Sequence, residues 1–237
     1  MVALPITATA AEHGPLANKR DRHRAGAHAV ARDAAGGGGD VEELRSQEET
    51  TVMTPARFIT MAAFTDEIKD LVQHGFDRRD VHRFLAETRI EHASLAQHVS
   101  FEDGRYTRHL VYKSSDVELL VLCWPRGSRA PVHGHEGELC WARVERGRLR
   151  FTNYRETSRV PLHVLPVGGA LEGGPGYLDG PADLHAVENP KEFDADAVSL
   201  HIYSRPYDEC DIYDLAAGLV RRVRLRYDSV PQGWTPT

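Results

Sequence analysis

One stretch constrains this chain more than any other. From Gly127 to Gly147 it reads Gly-Ser-Arg-Ala-Pro-Val-His-Gly-His-Glu-Gly-Glu-Leu-Cys-Trp-Ala-Arg-Val-Glu-Arg-Gly. At its centre stand His133 and His135. Side chains at i and i+2 of an extended strand point to the same face. Two imidazoles on one strand face make half of a metal site, and the partner ligands must come from another strand brought alongside. A lone His-x-His pair also occurs on solvated strands, so its meaning depends on what surrounds it.

The surroundings are β-rich. From Arg105 onward the expected strands are Val117–Trp124, Leu162–Val167, Leu184–Val187, Ala197–Tyr203 and Leu219–Tyr227, with a hairpin over Cys140–Tyr154 turning at Arg146-Gly147. Gly and Pro clusters such as Gly173-Gly174-Pro175-Gly176 separate them. Many short strands with this punctuation favour a sandwich or a barrel. Phe64 to Val99 reads instead as helical, with Thr65 and Asp77 as N-caps and Gly75 ending the first helix. The apolar stripes are Ile68, Leu71 and Val72, then Val81, Phe84 and Leu85, with a short third helix around Ala93, Leu95 and Ala96. These helices are expected to pack on the outside of the β-structure. His74, His82, His92 and His98 lie there without paired same-face spacing and are not expected to be ligands.

Residues 1–52 are rich in Ala, Gly, His and charge, with no sustained period, and are expected to be disordered. The organisation expected is a tail over residues 1–60, a helical cap over 61–100 and a barrel over 101–230 that forms one domain with the cap. The tail reads either as a flexible extension or as sequence upstream of a native start at Met53 or Met61. Residues 228–237 are expected to fray. The formal charge of −6 argues against nucleic acid as the partner, since phosphate binding needs a basic face. No apolar run approaches the roughly 20 residues of a membrane span. Three scattered cysteines do not make a disulfide scaffold, and a reducing cytoplasm is the expected location.

The spacing around His133 and His135 resembles the first motif of the cupin superfamily, with Cys140 where a Glu is usual. Leu184-His185-Ala186-Val187-Glu188-Asn189 resembles the second motif, a His followed four residues later by Asn. With Tyr106-Thr107-Arg108 and Ser199-Leu200-His201-Ile202-Tyr203-Ser204, the chain resembles the cysteine dioxygenase family of thiol dioxygenases over about Phe64 to Val230. The resemblance implies an all-β cupin jelly-roll barrel and one Fe(II) per chain held by His133, His135 and His185. Imidazole suits several metals, so ligand type alone does not choose iron. Three neutral ligands leave coordination positions open and keep the full positive charge of the ion.

Arg108 is the candidate reader of a substrate carboxylate, because a guanidinium pairs bidentately with that group; the resemblance adds Tyr106 to this role. It also casts Tyr203 as a phenol beside the metal, His201 as the group that orients it, and Ser199 as the hydrogen-bond partner of His201. For cysteine dioxygenases with a Cys at position 140 it implies a thioether between Cys140 and Tyr203. The implied reaction adds both atoms of dioxygen to the sulfur of L-cysteine, giving the sulfinic acid, in a monomer. The alternatives are 3-mercaptopropionate or another small thiol as substrate, or a non-catalytic metal-binding cupin. Cys123, Cys210, His109, His163, Glu136 and Glu138 are assigned no chemistry. Ser204-Arg205-Pro206 departs from the family's Ser-Pro-Pro; the Ser204–Arg205 bond is expected to be trans, with Arg205 adding charge near the pocket.

Overall fold

The computed structural model describes residues 56–235. The expectation of disorder over residues 1–52 lies outside this range. The expected tail over residues 1–60 overlaps the described chain: β1 (Arg57–Ile59) pairs in parallel with β2 (Thr88–Ile90). Between them run α1 (Met61–Gln73) and α2 (Arg78–Glu87), and α3 (His92–Ala96) follows. The cap of α1 is Thr60, whose side chain accepts from Ala63 N, and not Thr65. The helix starts earlier than expected because Met61, Phe64 and Ile68 share a buried stripe; Thr65 lies inside and donates to Met61 O at 2.8 Å. Asp77 caps α2 as expected, accepting from Arg79 N and Asp80 N.

Twelve strands follow. They are β3 (Thr107–Lys113), β4 (Glu118–Trp124), β5 (Arg129–Gly134), β6 (Cys140–Arg146), β7 (Leu149–Arg159), β8 (Leu162–Pro166), β9 (Leu171–Gly173), β10 (Leu178–Ala182), β11 (Leu184–Glu188), β12 (Ala197–Tyr203), β13 (Glu209–Asp214) and β14 (Leu219–Arg224). One sheet has the order β10-β6-β12-β4-β3; the other runs β14-β13-β5-β11-β7-β8, with β9 on β7. The result is a mainly β cupin barrel with small helices at its N-terminal side.

The five-stranded sheet is the middle layer, and the two-residue period of its strands divides the work. Leu119, Val121 and Cys123 of β4 and Val198, Leu200 and Ile202 of β12 pack in one core with Phe64, Ile68, Phe84 and Leu85 of the helices. The alternate residues Leu120, Leu122 and Trp124, with Cys140, Ala142 and Tyr203, belong to a second core inside the barrel. The apolar half of β12 is thus held by the cap, and Ser199, His201 and Tyr203 are left facing inward. Each large apolar side chain buried this way contributes about 1.5–3 kcal/mol. Arg143, fully buried, donates from Nη1 to Leu85 O and Thr88 O at 2.8 Å, satisfying carbonyls at the C-terminal end of α2.

Two expectations are corrected. Cys140–Tyr154 is not a hairpin: β6 and β7 belong to different sheets, and the chain crosses between them at Gly147. Gly147 has φ +73°, and a Cβ there would lie 2.6 Å from Asp196 O and 2.8 Å from Ala197 Cα. Nor do all of residues 228–237 fray. Asp228 N donates to Arg108 O and its carboxylate accepts from Arg108 N, both at 2.7 Å, while Leu110 N donates to Ser229 O at 2.9 Å. The open edge of β3 takes up these partners, and a polar, aperiodic sequence gives no sign of it.

Candidate metal centre

His133 lies on β5 and His135 one residue past its end. β11 runs antiparallel beside β5 in the register His185↔His133, which brings the third imidazole opposite the first. One ligand nitrogen from each of the three lies within 4.8 Å of the others. Every Nδ1 is engaged: with Pro131 O at 2.8 Å for His133, Asp183 O at 3.1 Å for His135 and Asp179 Oδ2 at 3.3 Å for His185. Acceptors at Nδ1 fix the proton there and leave Nε2 as a lone-pair donor. Nε2 of His135 is buried with no hydrogen-bond partner. Burial, then the neighbouring His185, lowers the pKa of His133 to about 3, and the same causes hold His135 well below its ordinary value. Three imidazoles with Nδ1 engaged and Nε2 left over fit a divalent metal, and the orphaned Nε2 of His135 is the atom such an ion would satisfy. Asn189, the last residue of the second motif, instead ties strands together, donating to Trp124 O and Ala195 O.

Beside the triad, β12 and β6 place Tyr203 opposite Cys140. Both side chains are buried. Burial, then Cys140, pushes the Tyr203 phenol well up; burial, then Asp179, pushes up the Cys140 thiol. Ser199 Oγ accepts from Trp124 Nε1 at 2.8 Å and bonds His201 Nε2 at 2.9 Å. His201 Nδ1 has no partner, and no hydrogen bond joins His201 to Tyr203, whose ring centroid is 6.2 Å away.

A small cavity, partly open to solvent, is lined by Tyr106, Arg108, His133, His201, Tyr203 and Tyr207 among others. Arg108, only 4% exposed, has an unpartnered Nη1, with Nη2 3.9 Å from Glu118 Oε2. Tyr106 stacks on Trp124 at 4.8 Å. Arg205 is exposed and does not line the cavity, so the charge expected from it is absent there. The Ser204–Arg205 bond is trans; the cis bonds among the described residues precede Pro161 and Pro181. Glu136 and Glu138 lie on the β5–β6 loop, pairing with Arg222 at 2.6 Å and accepting from Ser204 Oγ at 2.7 Å. Sequence reading missed Asp179, Trp124, Tyr207 and Glu118. Only Trp124 carried a signal, as the inward end of the β4 alternation.

The profile of the family described as cysteine dioxygenase type I matches residues 48–216. The chain belongs to this family. Cysteine dioxygenase type 1 of Homo sapiens is 29% identical over 137 residues, 56% of this chain and 68% of that protein. The namesake of Danio rerio is 27% identical over 188 residues, 76% of this chain and 90% of that protein. A solved cupin 2 conserved barrel domain protein from Leptotrichia buccalis aligns over 47% of each chain at 15% identity with a TM-score of 0.37. β14 and the segment after it lie beyond the family match. Membership makes this chain a dioxygenase-family protein whose His triad is consistent with a metal site. Among the described residues, no helix is long and apolar enough to cross a membrane.

Proposed function

We propose that this protein is an iron(II)-dependent dioxygenase that adds both atoms of dioxygen to the sulfur of L-cysteine, giving cysteine sulfinic acid. The observation that carries the reading is the cluster of three imidazoles, one of which, His133, lines the same cavity as Arg108 with its unpartnered Nη1. In this reading His133, His135 and His185 hold the iron. When bound, iron(II) would lower the substrate thiol's pKa and bring dioxygen into reaction with the sulfur.

The chain's own residues supply the rest. Arg108 pairs with the substrate carboxylate, since its buried Nη1 otherwise lacks an acceptor. Tyr106, stacked on Trp124, closes that side of the cavity. Ser199, fixed by Trp124, holds the His201 ring against the pocket wall. Tyr203, kept protonated by burial, offers its O–H to the bound substrate. Cys140 and Tyr203, opposite each other in register, would form a thioether between the sulfur and a ring carbon ortho to the hydroxyl. That step loses the S–H and one ring C–H hydrogen, two electrons in all, which dioxygen accepts.

Cysteine is favoured over 3-mercaptopropionate because the feature that spoke against it, Arg205 at the pocket, lies away from the cavity. Anaerobic loading with iron(II), then oxygen uptake with a panel of thiols, tests the reading. Uptake should be fastest with L-cysteine. Fastest uptake with 3-mercaptopropionate would move the assignment to that substrate, and no uptake with any thiol would leave a metal-binding cupin without this activity.

A further inference from the structure

Arg108 is gripped from behind by Glu118 and Lys113, within the family match, and by Tyr227, beyond its end at residue 216. Glu118 opens β4, is 1% exposed, and sits in register with Tyr203 on one side and Lys113 on the other. Its carboxylate meets three donors: Arg108 Nη2 at 3.9 Å, Lys113 Nζ at 3.8 Å and the hydroxyl of Tyr227. Lys113 Nζ also donates to the Tyr227 hydroxyl at 3.0 Å. The ring of Tyr227 lies under the guanidinium, 5.7 Å from its carbon to the ring centroid. Tyr227 is held there by the chain on both sides: Leu225 N donates to Asp208 O at 2.7 Å, and Asp228 exchanges two hydrogen bonds with the backbone of Arg108 itself. The segment Leu225–Ser229 therefore straps the outer edge of β3, while the family match ends at residue 216.

We infer that Glu118 and Tyr227 are positioning residues for Arg108, and that the C-terminal strap completes the anion-reading half of the cavity. A guanidinium has five N–H donors in a rigid fork. Glu118 and the Tyr227 ring occupy the Nη2 side and one face of it. Nη1 is left buried with no acceptor of its own, on a residue that lines the cavity. Without the carboxylate behind it, a long arginine side chain regains rotamer freedom that each binding event must then remove. The class of ligand this arrangement serves is a small thiol carrying a carboxylate. The inference rests on the reading of Arg108 given above.

The test compares Glu118→Gln, Tyr227→Phe and Arg108→Ala in the iron-loaded full-length chain, with L-cysteine, 3-mercaptopropionate and cysteamine, which lacks a carboxylate. Glu118→Gln keeps size and removes charge; Tyr227→Phe keeps the ring and removes the hydroxyl. Glu118→Gln should raise KM for both carboxylate thiols about tenfold, the scale of one charge-assisted contact, with kcat within about twofold. KM for cysteamine should stay within about twofold, and Tyr227→Phe should shift the same parameters in the same direction by less. Equal losses on all three thiols, or a change in kcat alone, would show a merely structural role and overturn the inference. If Arg108→Ala discriminates against carboxylates while the other two variants behave as wild type, the positioning claim fails and the reading of Arg108 stands. If Arg108→Ala does not discriminate, both fall.

Discussion

Asp179→Asn should move metal affinity and apoprotein stability in different directions. Asp179 is 4% exposed, and the hydrogen bond its carboxylate accepts from His185 Nδ1, at 3.3 Å, is the one its side chain makes among the described residues. A carboxylate behind a ligating imidazole fixes the ring's orientation and raises its basicity, and losing it typically costs 10–100-fold in metal affinity. That corresponds to about 1.4–2.7 kcal/mol. Asn still offers a carbonyl to the Nδ1 proton, so the tautomer survives and the charge is what is lost. In the metal-free protein the same buried carboxylate has the His185 ring as its one side-chain partner among the described residues and no cation to offset its desolvation. Removing it should leave the apoprotein as stable as wild type or more so. Competition with a chelator under anaerobic conditions gives the affinity, and thermal unfolding of the apoprotein gives the stability. Iron affinity within twofold of wild type would refute the argument that Asp179 tunes His185, and a destabilised apoprotein would refute the account of its burial.

Three other outcomes follow from the structure. Gly147→Ala combines a left-handed backbone cost of about 1–2 kcal/mol with a clash against Asp196 O and Ala197 worth about 1–3 kcal/mol; urea unfolding should show the sum, and an unchanged midpoint would contradict it. Half-buried His133 and buried His135 and His201 have folded pKa values lowered, chiefly by desolvation, below the unfolded value of about 6.5. Their contribution to stability is full above that value and is lost as pH falls toward about 3, the folded value of His133. The metal-free protein should therefore lose about 2 kcal/mol or more between pH 7 and pH 5, at about 1.4 kcal/mol per unit for each such group, and equal stability at the two pH values would contradict this. After many aerobic turnovers, peptide mapping should find Cys140 joined to Tyr203 with the loss of two hydrogens; a fully alkylatable Cys140 after unfolding would show that the pair does not couple.

The site was legible where it depends on short-range spacing. The i, i+2 period placed His133 with His135, and Ser199 with His201 and Tyr203, on common faces, and those strands formed with that alternation. What spacing cannot give is the partner across a sheet. The register His185↔His133 and the crossing at Gly147 between two sheets depend on pairing over long sequence separations, so a local reading took Cys140–Tyr154 for a hairpin. The groups behind the first layer were invisible for the same reason. Asp179 reaches His185 from another strand, and Tyr227 reaches Arg108 from more than a hundred residues away along a polar segment without periodicity. The start of α1 was misread for a different reason: Thr60 and Thr65 both suit a cap, and the burial of Met61 decides between them.

The central claim is a dioxygenation of cysteine sulfur at an iron held by His133, His135 and His185. Its most direct measurement is mass spectrometry of the product formed by anaerobically iron-loaded protein from L-cysteine under isotopically heavy dioxygen, with His185→Ala carried through the same loading. The account predicts cysteine sulfinic acid with both new oxygens labelled from wild type, and neither bound iron nor product from the variant. A product with oxygen from water, cystine as the sole product, or full iron content and turnover in His185→Ala would contradict it.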